Sequence, residues 1–155
     1  MRRLIAVAAA VVVLGSGCAA RGLSFVQDDR VQDVRPRAGA TVRLPLELTW
    51  SSDFDGRFGV FLDRAPMRPG RGLESLVPED DPCRQEPTCP DAEWLSQRGV
   101  FVTDEPRLHL EVLPDRRKNN RSKDRHEAVI VLLDRDGVRV GESTFVTEFV
   151  VDRED

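Results

Sequence analysis

Three cysteines and two histidines are the side chains of this sequence that most readily do chemistry near neutral pH. Cys83 and Cys89 lie close together in the polar stretch Asp81-Pro82-Cys83-Arg84-Gln85-Glu86-Pro87-Thr88-Cys89-Pro90. Two thiols so placed make either a disulfide or half of a metal site. Zinc takes four ligands, and paired cysteine ligands are usually about two to four residues apart. Here five residues intervene, and His109 and His126 are the only histidines that could complete a set. The balance favours a Cys83–Cys89 disulfide, with no metal and no cofactor. So short a loop gains at most about 2 kcal/mol from the cross-link, enough to fix a loop but not to hold a domain together.

Other reactive patterns stop short of a site. His126-Glu127 begins like the HExxH pair of a zinc protease, but Ile130 stands where the second histidine must be. Gly141-Glu142-Ser143-Thr144-Phe145 lacks the last glycine of a nucleophile elbow. Asp134-Arg135-Asp136-Gly137 with Glu142 has too few carboxylates and the wrong length for a calcium loop, and reads as a hairpin turn. His109, between Leu108 and Leu110, reads as a solvent-facing strand residue. No nucleophile, base and orienting group can be assembled, so a non-enzyme is expected.

The third cysteine, Cys18, closes the N-terminal segment. Met1-Arg2-Arg3 is positively charged, residues 4–14 are eleven apolar residues, and Gly15, Ser16 and Gly17 are small. That order is a signal peptide with its cleavage site. The apolar stretch is shorter than the roughly 20 residues a membrane span needs. Leu14-Gly15-Ser16-Gly17-Cys18 resembles the bacterial lipobox, although Gly15 holds the position where leucine is usual. The resemblance implies that Cys18 receives a diacylglycerol and becomes the mature N-terminus, anchored to the cell membrane on its extracytoplasmic side. An odd cysteine in an exported chain is accounted for in the same way. Residues 1–17 are then the signal peptide, 18–33 a lipidated tether and 34–155 the domain. An alternative for Leu23, Phe25 and Val26 is an edge strand packed on the domain.

Without Arg2 and Arg3, 23 Lys and Arg become 21 against 27 Asp and Glu, so the mature chain carries about −6. A general nucleic-acid or anionic-membrane binder needs a basic footprint, which this is not.

The domain must be built mainly from strands. Val42, Leu44, Leu46, Leu48 and Trp50 are apolar at alternate positions, and Phe58, Val60 and Leu62 resume the period after a turn. Pro45, with no amide hydrogen, marks an edge or a bend. Leu108, Leu110 and Val112 repeat the pattern. Residues 128–133 are continuously apolar, as in a central strand buried on both faces, and are followed by the Asp134–Gly137 turn. Gly141 predicts a bulge before the last strand, residues 145–151. Helical periodicity is confined to residues 73–77 and 92–98.

Pro36-Arg37-Ala38-Gly39-Ala40-Thr41-Val42, Leu48-Thr49-Trp50 and Phe58-Gly59-Val60-Phe61-Leu62-Asp63 together resemble the opening of a fibronectin type III or other immunoglobulin-like domain, with residues 126–134 and their hairpin as the closing pair. The resemblance implies an antiparallel β-sandwich, here with a long disulfide-containing insertion between its middle strands and one or two short helices. There is no tyrosine, so the tyrosine corner of many such domains is absent. The family implies a habit of binding and no activity.

In such a fold residues 64–99 and 114–125 share the end opposite the chain's entry. Met67, Leu73, Leu76, Val77, Trp94 and Leu95 can pack the insertion onto the sandwich. Cap and binding surface are both open for it. The loop over residues 115–125 carries six basic side chains, Arg116, Arg117, Lys118, Arg121, Lys123 and Arg125, against two acidic ones. It is either a solvated loop or a contact for phosphates or an acidic partner. The candidate interaction surface is therefore these six with Met67 and Trp94. A non-catalytic module for a protein or envelope polymer is expected, with a structural accessory lipoprotein as the alternative.

Overall fold

A computed structural model describes residues 28–113 and 125–152. Two sheets make up most of it. The first holds β1 (Gln32–Arg35), β3 (Leu46–Ser51) and β6 (Arg107–Leu110), in the order β1-β3-β6. The second holds β2 (Ala40–Val42), β4 (Arg57–Leu62), β5 (Val100–Thr103), β7 (Arg125–Leu133) and β8 (Arg139–Val151), in the order β2-β8-β7-β4-β5.

The side-chain period of two explains the layering. Leu46, Leu48 and Trp50 of β3, Phe58, Val60 and Leu62 of β4, and Ala128, Ile130 and Leu132 of β7 all enter one buried cluster with Phe149 and Val151. Trp50 meets Phe58 edge-on at 5.2 Å between centroids. The alternate residues of β4 and β7, Phe61 with Val129, Val131 and Leu133, enter a second cluster on the opposite face. This is the both-faces burial expected of residues 128–133. Packing there is close enough that a Cβ at Gly59 would lie 3.1–3.2 Å from Phe61, Leu133 and Val131.

The second cluster is closed by the segment between β4 and β5. Its Met67 and Leu95 are buried in the cluster, and Leu73, Leu76 and Trp94 pack against it. The segment carries two 3-10 helices, Leu73–Leu76 and Pro82–Gln85, and one short helix, α1 (Ala92–Ser96). The helical expectations over residues 73–77 and 92–98 are thus met by one 3-10 turn and one five-residue helix. Cys83 and Cys89 form the expected disulfide, with Cα atoms 5.3 Å apart.

Several expectations need correction. The alternating run from Val42 to Trp50 is not one strand. It divides at Pro45, so that β2 lies beside β8 and β3 lies in the other sheet. Pro45 offers no amide to a ladder, and the chain changes sheets there, leaving Leu44 exposed where the alternation predicts burial. The β2–β8 pair is parallel, so the architecture is not wholly antiparallel. Val112 lies beyond the end of β6 and is 74% exposed. Gln32 and Asp33, read above as tether, form part of β1, and Val31 before them is buried in the first cluster. The hairpin at Asp134 is as expected: its Oδ1 accepts the amides of Asp136 and Val138, and Gly137 takes a φ of +78°. The irregularity near Gly141 is also present. Ile130 faces Phe145 while Leu132 faces Val140, so the residues between Val140 and Phe145 loop out of register.

Arg139, at the start of β8, ties that irregularity to the insertion. It is 7% exposed and donates Nη1 to the Met67 carbonyl at 2.6 Å and Nη2 to the carbonyls of Glu142 and Ser143 at 2.7 and 3.3 Å. Burial pushes its guanidinium below the ordinary arginine range. Replacing Arg139 with Met keeps the stem and removes the donors. The buried Met67 carbonyl and the part-buried carbonyls of Glu142 and Ser143, left unpaired, should then lower stability by about 2–3 kcal/mol, read from the midpoint of urea unfolding.

Asp28 fastens the start of the described chain. Its amide donates to the Thr144 carbonyl at 3.2 Å, and its carboxylate accepts Nε and Nη2 of Arg30, each at 2.9 Å. Burial alone would raise the Asp28 carboxyl, but the Arg30 hydrogen bonds and charge outweigh it and hold the group below its ordinary 3.8. A depressed carboxyl adds stability above its unfolded value and loses it as pH falls through the folded one. In Arg30→Gln the guanidinium's hydrogen bonds and charge are lost, while burial and the residue-30 backbone amide, 3.1 Å from Asp28 Oδ1, remain, so acid destabilisation should begin at a higher pH than in the parent. Thermal unfolding between about pH 3 and 6 measures it.

Candidate interaction surface

Of the residues predicted to form one surface, Arg125, Met67 and Trp94 fall among the described residues. Cys18, Arg116, Arg117, Lys118, Arg121 and Lys123 lie outside the described residues. Arg125 opens β7, is exposed, and places Nη1 3.5 Å from Glu148 Oε2 on β8. Met67 is corrected from surface to core: at 5% exposure its side chain fills the space over the outer face of β4 and β7. Trp94 is half-buried on α1, packs against the same cluster, and carries the Arg98 guanidinium 3.8 Å above its ring centroid.

Around Trp94 the chain builds an open groove of about 500 Å³ between the disulfide loop and α1. Asp81 and Asp91 are helix-capping residues. Asp81 Oδ1 accepts the Cys83 amide at 3.0 Å, and Asp91 Oδ1 accepts the Trp94 amide at 2.7 Å. The other oxygen of Asp81 takes Nη2 of Arg98 at 3.1 Å, which holds that guanidinium over the indole. Glu86 and Glu93 also line the groove. Four carboxylates against one guanidinium give it an acidic character. The sulfurs beside it are tied to each other, so neither is a free nucleophile.

At the end where β4 runs out and β7 begins there is a second polar constellation. Asp63 takes a left-handed φ of +56° and folds its carboxylate back onto β7. Its Oδ1 accepts the Glu127 amide at 3.0 Å and its Oδ2 lies 2.6 Å from His126 Nδ1. The imidazole is 2% exposed and stacks on Phe149 at 5.8 Å. A histidine oriented by a carboxylate is two thirds of a nucleophile-activating triad. The other ring nitrogen, Nε2, is enclosed and has no hydrogen-bond partner among the described residues. Through the Asp63 carboxylate the pair ties the end of β4 to β7. His109 is exposed as expected, with Nε2 3.0 Å from Glu111 Oε1. No group of three or more potential metal ligands occurs among the described residues.

Sequence reasoning missed Asp63 and Arg139. Asp63 directly follows the alternating run of β4, where an acidic residue signals only a strand end. A pairing 63 residues apart in sequence leaves no local trace. Asp63→Ala removes the acceptor for His126 Nδ1 and for the Glu127 amide. It should cost about 2–4 kcal/mol while leaving the sheets folded, by urea titration and far-ultraviolet circular dichroism.

Compared with known proteins, the chain matches no family model, no curated protein and no solved structure.

Proposed function

We propose that this chain is an exported lipoprotein, acylated at Cys18, whose immunoglobulin-like β-sandwich is a non-catalytic interaction module for a protein or cell-envelope component. The observation that carries the anchoring is the Cys83–Cys89 disulfide. Those two sulfurs satisfy each other, so Cys18 is left as the odd cysteine of three, directly after a run of small residues.

Strand order supports the immunoglobulin-like reading. With β1, β3 and β6 as strands A, B and E, and β4, β7 and β8 as C, F and G, the two sheets follow the family's division. β5 lies beside C, as the added strand of variable-type domains does. The same ladders support an orientation for the anchored domain. β1 begins opposite Ser51, at the end that holds Arg57 and Leu133. The insertion leaves from Leu62 and the chain re-enters at Arg125, at the far end. With a lipid at Cys18, the root of the insertion would lie at the end away from the membrane.

A second reading, a structural accessory lipoprotein, draws support from the insertion itself. Its large apolar side chains turn inward, and the exposed large hydrophobics among the described residues, Leu44, Val112 and Val146, all lie elsewhere. On the first reading the partner meets a polar, acidic groove. On the second the insertion only completes the core.

The full-length chain and Cys18→Ala, expressed in a bacterium that processes lipoproteins, separate the anchoring from its alternatives. A lipid-sized mass increment and membrane partitioning should both vanish in the variant. Soluble, unmodified product from both chains would overturn the anchoring.

A further inference from the structure

Residues 78–93 form a long stretch of the insertion in which a single side chain, Cys83, is buried. Val77 before it and Leu95 after it are firmly inside. Segments with few buried contacts open at free energies well below that of global unfolding. Apart from the disulfide, this stretch is held by hydrogen bonds and an ion pair at or near the surface. Arg84 donates to the carbonyls of Pro78 and Val77 at 2.9 and 3.0 Å, and Arg98 reaches Asp81 at 3.1 Å. Such contacts contribute little each against water and salt.

We infer that the Cys83–Cys89 bond is a redox latch: closed, it holds residues 78–93 as one wall of the groove beside α1; reduced, it lets that flap open while both sheets stay folded. Cys89 is partly exposed and Cys83 is buried, so a dithiol reductant attacks at Cys89. One reductant thiolate bonds to Cys89 Sγ as the Cys83–Cys89 bond breaks, and Cys83 leaves as a thiolate that takes up a proton. The second thiol of the reductant then displaces Cys89 from the mixed disulfide, closing the reductant's own disulfide and leaving Cys89 as a thiol. Two electrons pass from the dithiol to the protein.

The cross-link joins residues six apart, and breaking it frees the chain entropy it withheld from the open flap. By that measure the open population rises by up to roughly 30-fold, the equivalent of ~2 kcal/mol. The inference rests on burial and on the disulfide alone, so its failure would leave the lipoprotein reading untouched.

Amide hydrogen exchange of the mature chain, oxidised and after reduction with dithiothreitol, tests it, with alkylation of both Cys83 and Cys89 verifying reduction. The amides of Glu86 and Cys89, bonded to Cys83 O and Glu86 O, and that of Trp94, bonded to Asp91, should exchange about tenfold or more faster. Those of Val60 and Ile130 in β4 and β7 should not change. The Cys83→Ala/Cys89→Ala double variant should show the same pattern without reductant. Unchanged exchange in the flap, or equal acceleration in β4 and β7, would overturn the latch.

Discussion

β4 and β7 are apolar on both faces, and a sheet whose middle is apolar on both faces has to be covered twice. Phe58, Val60, Leu62, Ala128, Ile130 and Leu132 face the three-stranded sheet, and Phe61, Val129, Val131 and Leu133 face the insertion. At about 25 cal/mol per Å² of apolar surface, leaving either side wet is costly. Most other features follow. The insertion is long because it must reach across the outer face of β4, β7 and β5, and the Arg139 guanidinium is buried because it fastens that cover at the Met67 carbonyl. The Asp63–His126 pair sits where the two central strands meet their loops, so polar atoms that would otherwise lie bare at the end of the core satisfy one another.

How far these features are legible in the sequence depends on how local their causes are. β7 is legible because a continuous apolar run flanked by a turn signal has few other solutions. The disulfide is legible because the two cysteines are near neighbours in sequence and the histidines do not complete a metal set. β3 and β4 show the alternation of a sheet with a buried face. β2, by contrast, is merged with β3 by the same alternation, because apolar period reports which face is buried and not which sheet the strand belongs to. Only Pro45 breaks that run, and its consequence, a change of sheet, is set by β8 about a hundred residues away. β5 is short, and its Val100 and Val102 fall between the insertion at residues 64–99 and the alternation that starts at Leu108, too few to show a period of their own. β1 is hidden because Gln32, Asp33 and Arg35 are polar and its one buried residue is Val34.

The candidate surface is less legible than the fold. Met67 and Trp94 are both large and apolar in a polar stretch, and sequence alone does not say which turns inward. Met67 lies close to the end of β4, so the short connection leaves it over the outer face of the sheet. Trp94 sits on α1, capped by Asp91, with Leu95 as the next residue taking the buried position. The indole is left at the rim, where Arg98, one helical turn on and held by Asp81, covers its face.

Covering a core and presenting an apolar docking surface compete for the same side chains. In the insertion the first demand has won: Met67, Val77 and Leu95 are buried, and Leu73, Leu76 and Trp94 lean on the cluster. What remains outward is polar and acidic, arranged around Asp81, Glu86, Asp91 and Glu93. Any recognition by this face must then come from charge and hydrogen bonding, which favour selectivity and encounter rate over raw affinity. Such a face needs its backbone held in place, because a polar contact is lost when its geometry drifts. Residues 78–93 have almost no apolar side chain with which to do that, and the covalent bond between Cys83 and Cys89 stands where a patch of core would otherwise be required.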